Sequence, residues 1–285
     1  MPYVTLVTLG CPKNQVDSER LLIALNREGI YNTDSVEDAG IILVNTCGFI
    51  NDAKEESINE VINLAQHKGA DKRLVVFGCL SQRYKDELAT ELPEIDAIWG
   101  VGKENEIVRY CKDTLSHGNG VNVSPVQVGV DGARPMYAYI KIAEGCNRPC
   151  GYCVIPSIRG GFRSFPAEGV IAEAEACVKA GKKELILIAQ DLTSYGKDIG
   201  YDLPRIIKDI ATLFNLKTIA RMITNTVCNP TQGEKAISIP IPKETATFIG
   251  ESSIPINALN VALIFEVFIP TSYQFSLFVF CIYKD

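Results

Sequence analysis

Cys146, Cys150 and Cys153 stand at spacings of four and three in the run Glu144-Gly-Cys146-Asn-Arg-Pro-Cys150-Gly-Tyr152-Cys153. Thiolates at such spacing suit a metal–sulfur centre. A 4Fe–4S cluster normally takes four thiolates. Three from one short loop leave one iron without a protein ligand, open to a small molecule, as the open position of a catalytic zinc is. Gly145 and Gly151 let the loop turn tightly, and Tyr152 can offer an aromatic face to a planar ligand. The alternatives on spacing alone are a zinc site and a purely structural cluster. Zinc sites favour paired CxxC units, often with histidine. Here the two histidines, His67 and His117, lie far off in sequence.

A second set of thiols is dispersed. Cys11, Cys47 and Cys79 each follow a short β-prone run: Tyr3–Leu9, Ile41–Val44 and Leu74–Phe77. Helices are expected between the runs. Asp17 is placed to cap one bearing Leu21, Leu22 and Leu25. Asn51 caps one bearing Ile58, Val61 and Ile62, and Ser81 one bearing Tyr84, Leu88 and Leu92. Strands alternating with helices imply a parallel sheet, whose strand C-termini share one edge where ligands bind. Three thiols from three strand ends can meet there. Three buried core cysteines are the plainer reading, since free cysteine is often buried.

The other elements come from the same patterns. Residues 116–135 hold several glycines and prolines and read as a linker, with a short strand at Val126–Val130. Tyr137–Ala143 reads as a strand entering the cysteine loop, Pro166–Ala180 as a helix with Cys177 on its apolar face, and Leu185–Ala189 as a buried strand. Gln190-Asp191 come directly after that strand, and Pro204–Phe214 reads as a helix. This is the opening of a (βα) barrel, where chemistry sits at strand C-terminal ends. Gln190 and Asp191 are so placed; a polar turn capping the next element is the competing reading. Arg148, Arg159 and Arg163 add positive charge around the loop. The fold class is therefore α/β: an open parallel-sheet domain over 1–115, a linker over 116–135, and an incomplete barrel over 136–216.

Composition narrows the function. A net charge of −6 argues against a chain-wide electrostatic grip on nucleic acid. Ten cysteines and no signal-like start point to a reducing, cytoplasmic setting in which thiols are ligands. No run reads as a clean membrane span, and no membrane partner is expected.

The CxxxCxxC loop resembles that of the radical S-adenosylmethionine (SAM) enzymes. Leu9-Gly-Cys11-Pro-Lys-Asn14, Asn45-Thr-Cys47-Gly-Phe and Phe77-Gly-Cys79-Leu-Ser-Gln82 resemble the N-terminal domain of the methylthiotransferases. Gly-Cys-Pro-Lys-Asn and Ile155-Pro-Ser-Ile-Arg159-Gly are similar to the RimO-type branch, which modifies small-subunit ribosomal protein S-twelve; the MiaB-type branch modifies tRNA adenosine. The resemblance implies two 4Fe–4S clusters, one on Cys146, Cys150 and Cys153 and an auxiliary one on Cys11, Cys47 and Cys79. It implies SAM bound near Tyr152, Gln190 and Asp191, and an electron donor such as flavodoxin or ferredoxin. Cleavage of SAM at the loop cluster yields a 5′-deoxyadenosyl radical, which takes a hydrogen from the β-carbon of an aspartate. The auxiliary cluster supplies sulfur and a second SAM the methyl group. No catalytic side chain is needed. A truncated, non-catalytic iron–sulfur or zinc-binding protein is the reading from another class.

The resemblance stops near Lys217. The family's C-terminal TRAM β-barrel is not recognisable in residues 217–285, and runs such as Phe275–Tyr283 are apolar without helical period. This irregular tail is expected to be foreign to the family, from a frameshift or fusion, and to leave the chain inactive.

Overall fold

In a computed structural model, the described residues are 3–69, 71–115, 136–182, 184–213, 220–222, 225–226, 276–277 and 280–283. The expected linker strand at Val126–Val130 lies outside them. The chain divides into two units, Met1–Ala133 with Ser157–Arg159, and the remainder.

The first unit runs β1 (Tyr3–Thr8), α1 (Pro12–Arg27), β2 (Tyr31–Asn32), β3 (Ile41–Thr46), α2 (Asn51–Ala65), β4 (Arg73–Gly78), α3 (Cys79–Arg83), α4 (Lys85–Glu91), β5 (Ala97–Trp99) and α5 (Glu104–Leu115). All five strands pair in parallel, in the order β2-β1-β3-β4-β5. The period-two rule splits the core between the two faces. Ile41 and Leu43 of β3, with Val75 and Phe77 of β4, pack with Leu21 and Leu25 of α1 and with Ile107 of α5. Ile42, Val44, Leu74 and Val76 pack on the other face with Val61 and Leu64 of α2. A sheet covered on both faces explains why β3 and β4 read as unbroken apolar runs.

Cys111, also of α5, is wholly buried in the first of these clusters, and burial pushes its thiol up to about 12. It is a core residue, with no thiolate available near neutrality. Iodoacetamide at about pH 8 is expected to leave Cys111 unmodified in the folded chain and to label it once denaturant is added. Peptide mass spectrometry checks this, and native-state labelling would count against the packing described.

Three helix starts differ from expectation. Asp17 and Ser81 do not cap helices; both are buried inside them, and Asn51 is the first residue of α2, behind the N-cap Ile50. α1 and α3 begin early because each glycine–cysteine pair turns strand directly into helix, while Leu88 belongs to the separate helix α4. Cys11 is the residue before α1, with Pro12 at its first position, and Cys79 itself opens α3.

The second unit runs β6 (Tyr137–Lys141), β7 (Ala143–Glu144), α6 (Ile155–Arg159, of which Ser157–Arg159 group with the first unit), β8 (Arg163–Ser164), α7 (Ala167–Lys179), β9 (Glu184–Ile188), a 3-10 turn at Leu192–Ser194, α8 (Leu203–Leu213), β10 (Ala220–Met222), β11 (Asn225–Thr226), β12 (Ser276–Leu277) and β13 (Phe280–Tyr283). Strands β6 and β9 are parallel. Ile140, Leu185 and Leu187 face Val170 and Ala174 of α7 and Ile206 and Ile210 of α8, and Cys177 packs at the margin of this cluster. The tail adds a strand: β13 lies antiparallel between β9 and β10. An apolar, β-prone segment satisfies its backbone on an open sheet edge, and antiparallel pairing imposes no helical crossover.

Candidate metal centres

In the first unit the sheet order reverses between β1 and β3, the switch point at which open α/β sheets bind ligands. Cys11 follows β1 and Cys47 follows β3, so the two thiols flank that point; Cys79 follows β4, the next strand along. Close backbone approach holds them there. A Cβ on Gly10 would lie 2.5 Å from Cys47 Cβ and 2.9 Å from Cys47 Sγ. A Cβ on Gly48 would lie 2.7 Å from the Leu80 Cα. Asn14 ties the strand ends together, donating to the carbonyls of Leu9 (2.8 Å) and Thr46 (3.2 Å). Asn45 donates back to the Asn14 carbonyl at 2.9 Å. The buried Ser57 hydroxyl both accepts from the Cys47 amide and donates to its carbonyl.

Burial pushes the Cys79 thiol up to about 11, against the pull of Arg159. Burial also raises Cys47, opposed by the Phe49 amide and by Arg159. Cys79 feels the charges of both Cys11 and Cys47, so the three thiols share one electrostatic site. Metal binding must then supply the drive to deprotonate them. Among the described residues, no three His, Cys, Asp or Glu side chains stand close enough to hold one metal ion. A cube spreads its thiolates over different irons, so its ligands stand further apart than those of one ion. Three sulfurs at neighbouring strand ends, two of them buried and one half-buried, with amide and guanidinium donors fit that group.

In the second unit, Cys146 is buried while Cys150 and Cys153 are half-buried. The Arg148 amide points at Cys146 Sγ and the Ile155 amide at Cys153 Sγ, each at 3.5 Å. The Cys153 amide donates to the Cys150 carbonyl at 3.0 Å, which winds the loop into a turn. Burial raises the Cys146 thiol, the Arg148 amide opposes it, and the charges of Asp191 and Cys153 add to the rise. Backbone amides aimed at sulfur fit a cluster, whose ligand sulfurs accept such bonds.

Gln190 and Asp191 come off the end of β9 and grip this loop. Gln190 accepts from the Gly145 amide at 3.0 Å and donates to Glu144, whose other oxygen takes the buried Lys141 ammonium at 2.6 Å. Arg148 forks onto Asp191, at 2.8 Å through Nε and 3.0 Å through Nη2. Burial alone would raise the Asp191 carboxyl. Hydrogen bonds from Arg148, Ser194 and Thr193 together outweigh that and hold it low. Tyr152 is exposed, as is Arg163. Sequence reasoning missed Glu144 and Lys141, although a lysine three residues before a glutamate at the mouth of a cysteine loop was a visible signal. It placed Arg159 beside the loop, whereas the side chain sits against Cys79 in the first unit.

Residues 3–100 match an uncharacterized protein family, UPF0004, and residues 140–239 match the Radical SAM superfamily. The chain thus carries a UPF0004 region followed by a Radical SAM region, and over about three quarters of its length it is similar to ribosomal protein methylthiotransferases. Among its relatives, the ribosomal protein uS12 methylthiotransferase RimO of Thermodesulfovibrio yellowstonii is 49% identical over 214 residues, covering 75% of this chain and 49% of that protein. The RimO proteins of Pelotomaculum thermopropionicum and Geobacter sulfurreducens are 47% and 43% identical, over 69% and 76% of this chain and 46% and 51% of theirs. The chain spans about half the length of the curated relatives it matches. A solved radical SAM methyltransferase, TsrM from Kitasatospora setae with tryptophan and a SAM analogue bound, aligns with a TM-score of 0.49 at 13% identity, over 75% of this chain and 50% of that one. No helix among the described residues is long and apolar enough to cross a membrane.

Proposed function

We propose that this chain is a radical-SAM methylthiotransferase of the RimO type, adding a methylthio group to the β-carbon of an aspartate in ribosomal protein S-twelve in the cytoplasm. The observation that carries the reading is the pairing of two cysteine triads, one at the C-terminal ends of three parallel strands and one on the single loop after β7, each supplied with donors toward sulfur. Identity of 41–49% to RimO proteins across this region supports the substrate.

Cys11, Cys47 and Cys79 would hold the auxiliary 4Fe–4S cluster, and Cys146, Cys150 and Cys153 the SAM-binding one. When bound, these groups supply the electron that cleaves SAM to a 5′-deoxyadenosyl radical, and the transferred sulfur. The chain's own residues position and insulate. Gln190 and Glu144 fix the entry of the loop at Gly145, and Asp191 with Arg148 fixes its middle. Tyr152, exposed beside Cys153, would offer its ring to the adenine. No side chain is assigned as acid or base.

The test is anaerobic reconstitution with iron and sulfide, then incubation with SAM, a reductant and either ribosomal protein S-twelve or tRNA. The expected result is 5′-deoxyadenosine together with a methylthio mass increment on the ribosomal protein. The increment on tRNA instead would assign the MiaB-type substrate. Iron uptake without SAM cleavage would favour the non-catalytic iron–sulfur reading instead.

A further inference from the structure

Arg159 follows Cys153 by six positions, yet its side chain is 3% exposed and packed in the first unit. Its guanidinium fork reaches acceptors of three kinds. Nη1 donates to Asp17 Oδ2 at 2.7 Å, Nη2 to Asn14 Oδ1, and Nε to Cys79 Sγ at 3.2 Å. Arginine commonly spends two N–H groups on one carboxylate in a two-toothed pair. Here the Nε–H of the fork faces a sulfur. Nor does the influence stop at the touching thiol: Arg159 also pulls against the rise at Cys47.

We propose that Arg159 is a positioning residue that sets the reduction potential of the four-iron cluster held by Cys11, Cys47 and Cys79, with Asp17 as its opposing counter-charge. The inference rests on the reading of this triad as a cluster site. A cluster ligated by thiolates is anionic, and its reduced form carries one more negative charge. Hydrogen bonds to ligand sulfur and fixed charge nearby are the means by which protein sets such potentials. In a buried site the field of a single cation is weakly screened. Arg159 therefore favours the reduced form and Asp17 tempers it. Asp17 sits in the middle of α1 and Asn14 one turn before it, so one helix carries both acceptors that aim the guanidinium at Cys79.

The experiment uses the full chain with Cys146, Cys150 and Cys153 all changed to alanine, so that only the first triad loads. Iron is counted, then the cluster is titrated by EPR against solution potential. The parent is expected to hold about four irons. Arg159→Gln is expected to load and to shift toward the oxidised form, by roughly tenfold in the oxidised-to-reduced ratio at fixed potential, about 59 mV for one electron. Asp17→Asn, which keeps the guanidinium, is expected to shift the opposite way. A merely structural brace would not give shifts of opposite sign. The proposal falls if both variants load and neither shifts, if both shift in the same direction, or if neither loads while the parent does. If only Arg159→Gln fails to load, Asp17→Asn decides alone: a shift toward the reduced form upholds the proposal and no shift ends it. A parent that takes up no iron overturns the cluster reading itself, and the proposal with it.

Discussion

Cys150→Ala is expected to abolish SAM cleavage, lowering 5′-deoxyadenosine formation by more than about 100-fold, the range reached by losing an outer partner of a metal ligand. It is also expected to lose about four of eight irons, one cluster's worth. The geometry explains the size. The Arg148 and Ile155 amides serve the sulfurs on either side of Cys150, and a backbone amide cannot replace a thiolate at the central position. The Cys150 carbonyl holds the turn through the Cys153 amide, and alanine keeps that backbone bond. The substitution therefore removes a sulfur and little else. Cys47→Ala in the first unit is expected to lose a similar amount of iron but to leave SAM cleavage running, because in the proposed assignment its thiol serves the other centre. It should still abolish the methylthio mass increment on the ribosomal protein. Iron assay, 5′-deoxyadenosine chromatography and substrate mass spectrometry on both variants make the comparison. Equal loss of SAM cleavage in the two would show that the triads do not have separate roles.

The strands that lead to cysteine were legible because each is an apolar, β-prone run that breaks at a small or polar residue, Gly10, Asn45 or Gly78. The expected Ile41–Val44 and Leu74–Phe77 lie inside Ile41–Thr46 and Arg73–Gly78. Strands β2 and β5 were not foreseen. Each has two or three residues, none fully buried, and their strand state comes from the neighbour they pair with. Helix α5 went unread although Ile107 and Cys111 stand four apart on its buried face. Asp17 and Ser81 look like caps by type, but a cap must be the residue where the strand stops. Pro12 at the first helical position was the better start signal. Contacts such as Arg159 with Cys79, 80 residues apart, follow from the fold and from no local pattern. Gln190 and Asp191 were placed correctly at a strand end. That their polar atoms would be taken up by Gly145, Glu144 and Arg148 depends on the loop's path, which composition does not encode.

Gly78→Ala is expected to destabilise the folded chain by roughly 3 kcal/mol or more, summing a strained backbone and a displaced neighbour. Gly78 sits at φ 104° and ψ −154°, a region that is essentially restricted to glycine. An added Cβ would lie 2.5 Å from Asn45 Oδ1, 2.7 Å from the Thr46 carbonyl oxygen and 3.0 Å from the Thr46 nitrogen. Two of those three atoms are backbone and cannot rotate away. Asn45 is buried and holds the Asn14 carbonyl and Ser18, so moving it disturbs the helix that carries Asn14 and Asp17. The strain therefore falls where β4 turns into α3 and aims Cys79 at its partners. Gly102→Ala is the matched control. Its φ is 74°, but nothing lies within 4 Å of the new Cβ, so only the left-handed backbone cost of about 1 kcal/mol applies. Urea denaturation of the metal-free chains gives the two differences, and iron uptake shows which of them reaches the thiols. If Gly78→Ala costs no more than Gly102→Ala, the close approach of β3 and β4 at the cysteine edge is not a constraint, and the glycine before Cys79 would have to be explained by something other than space.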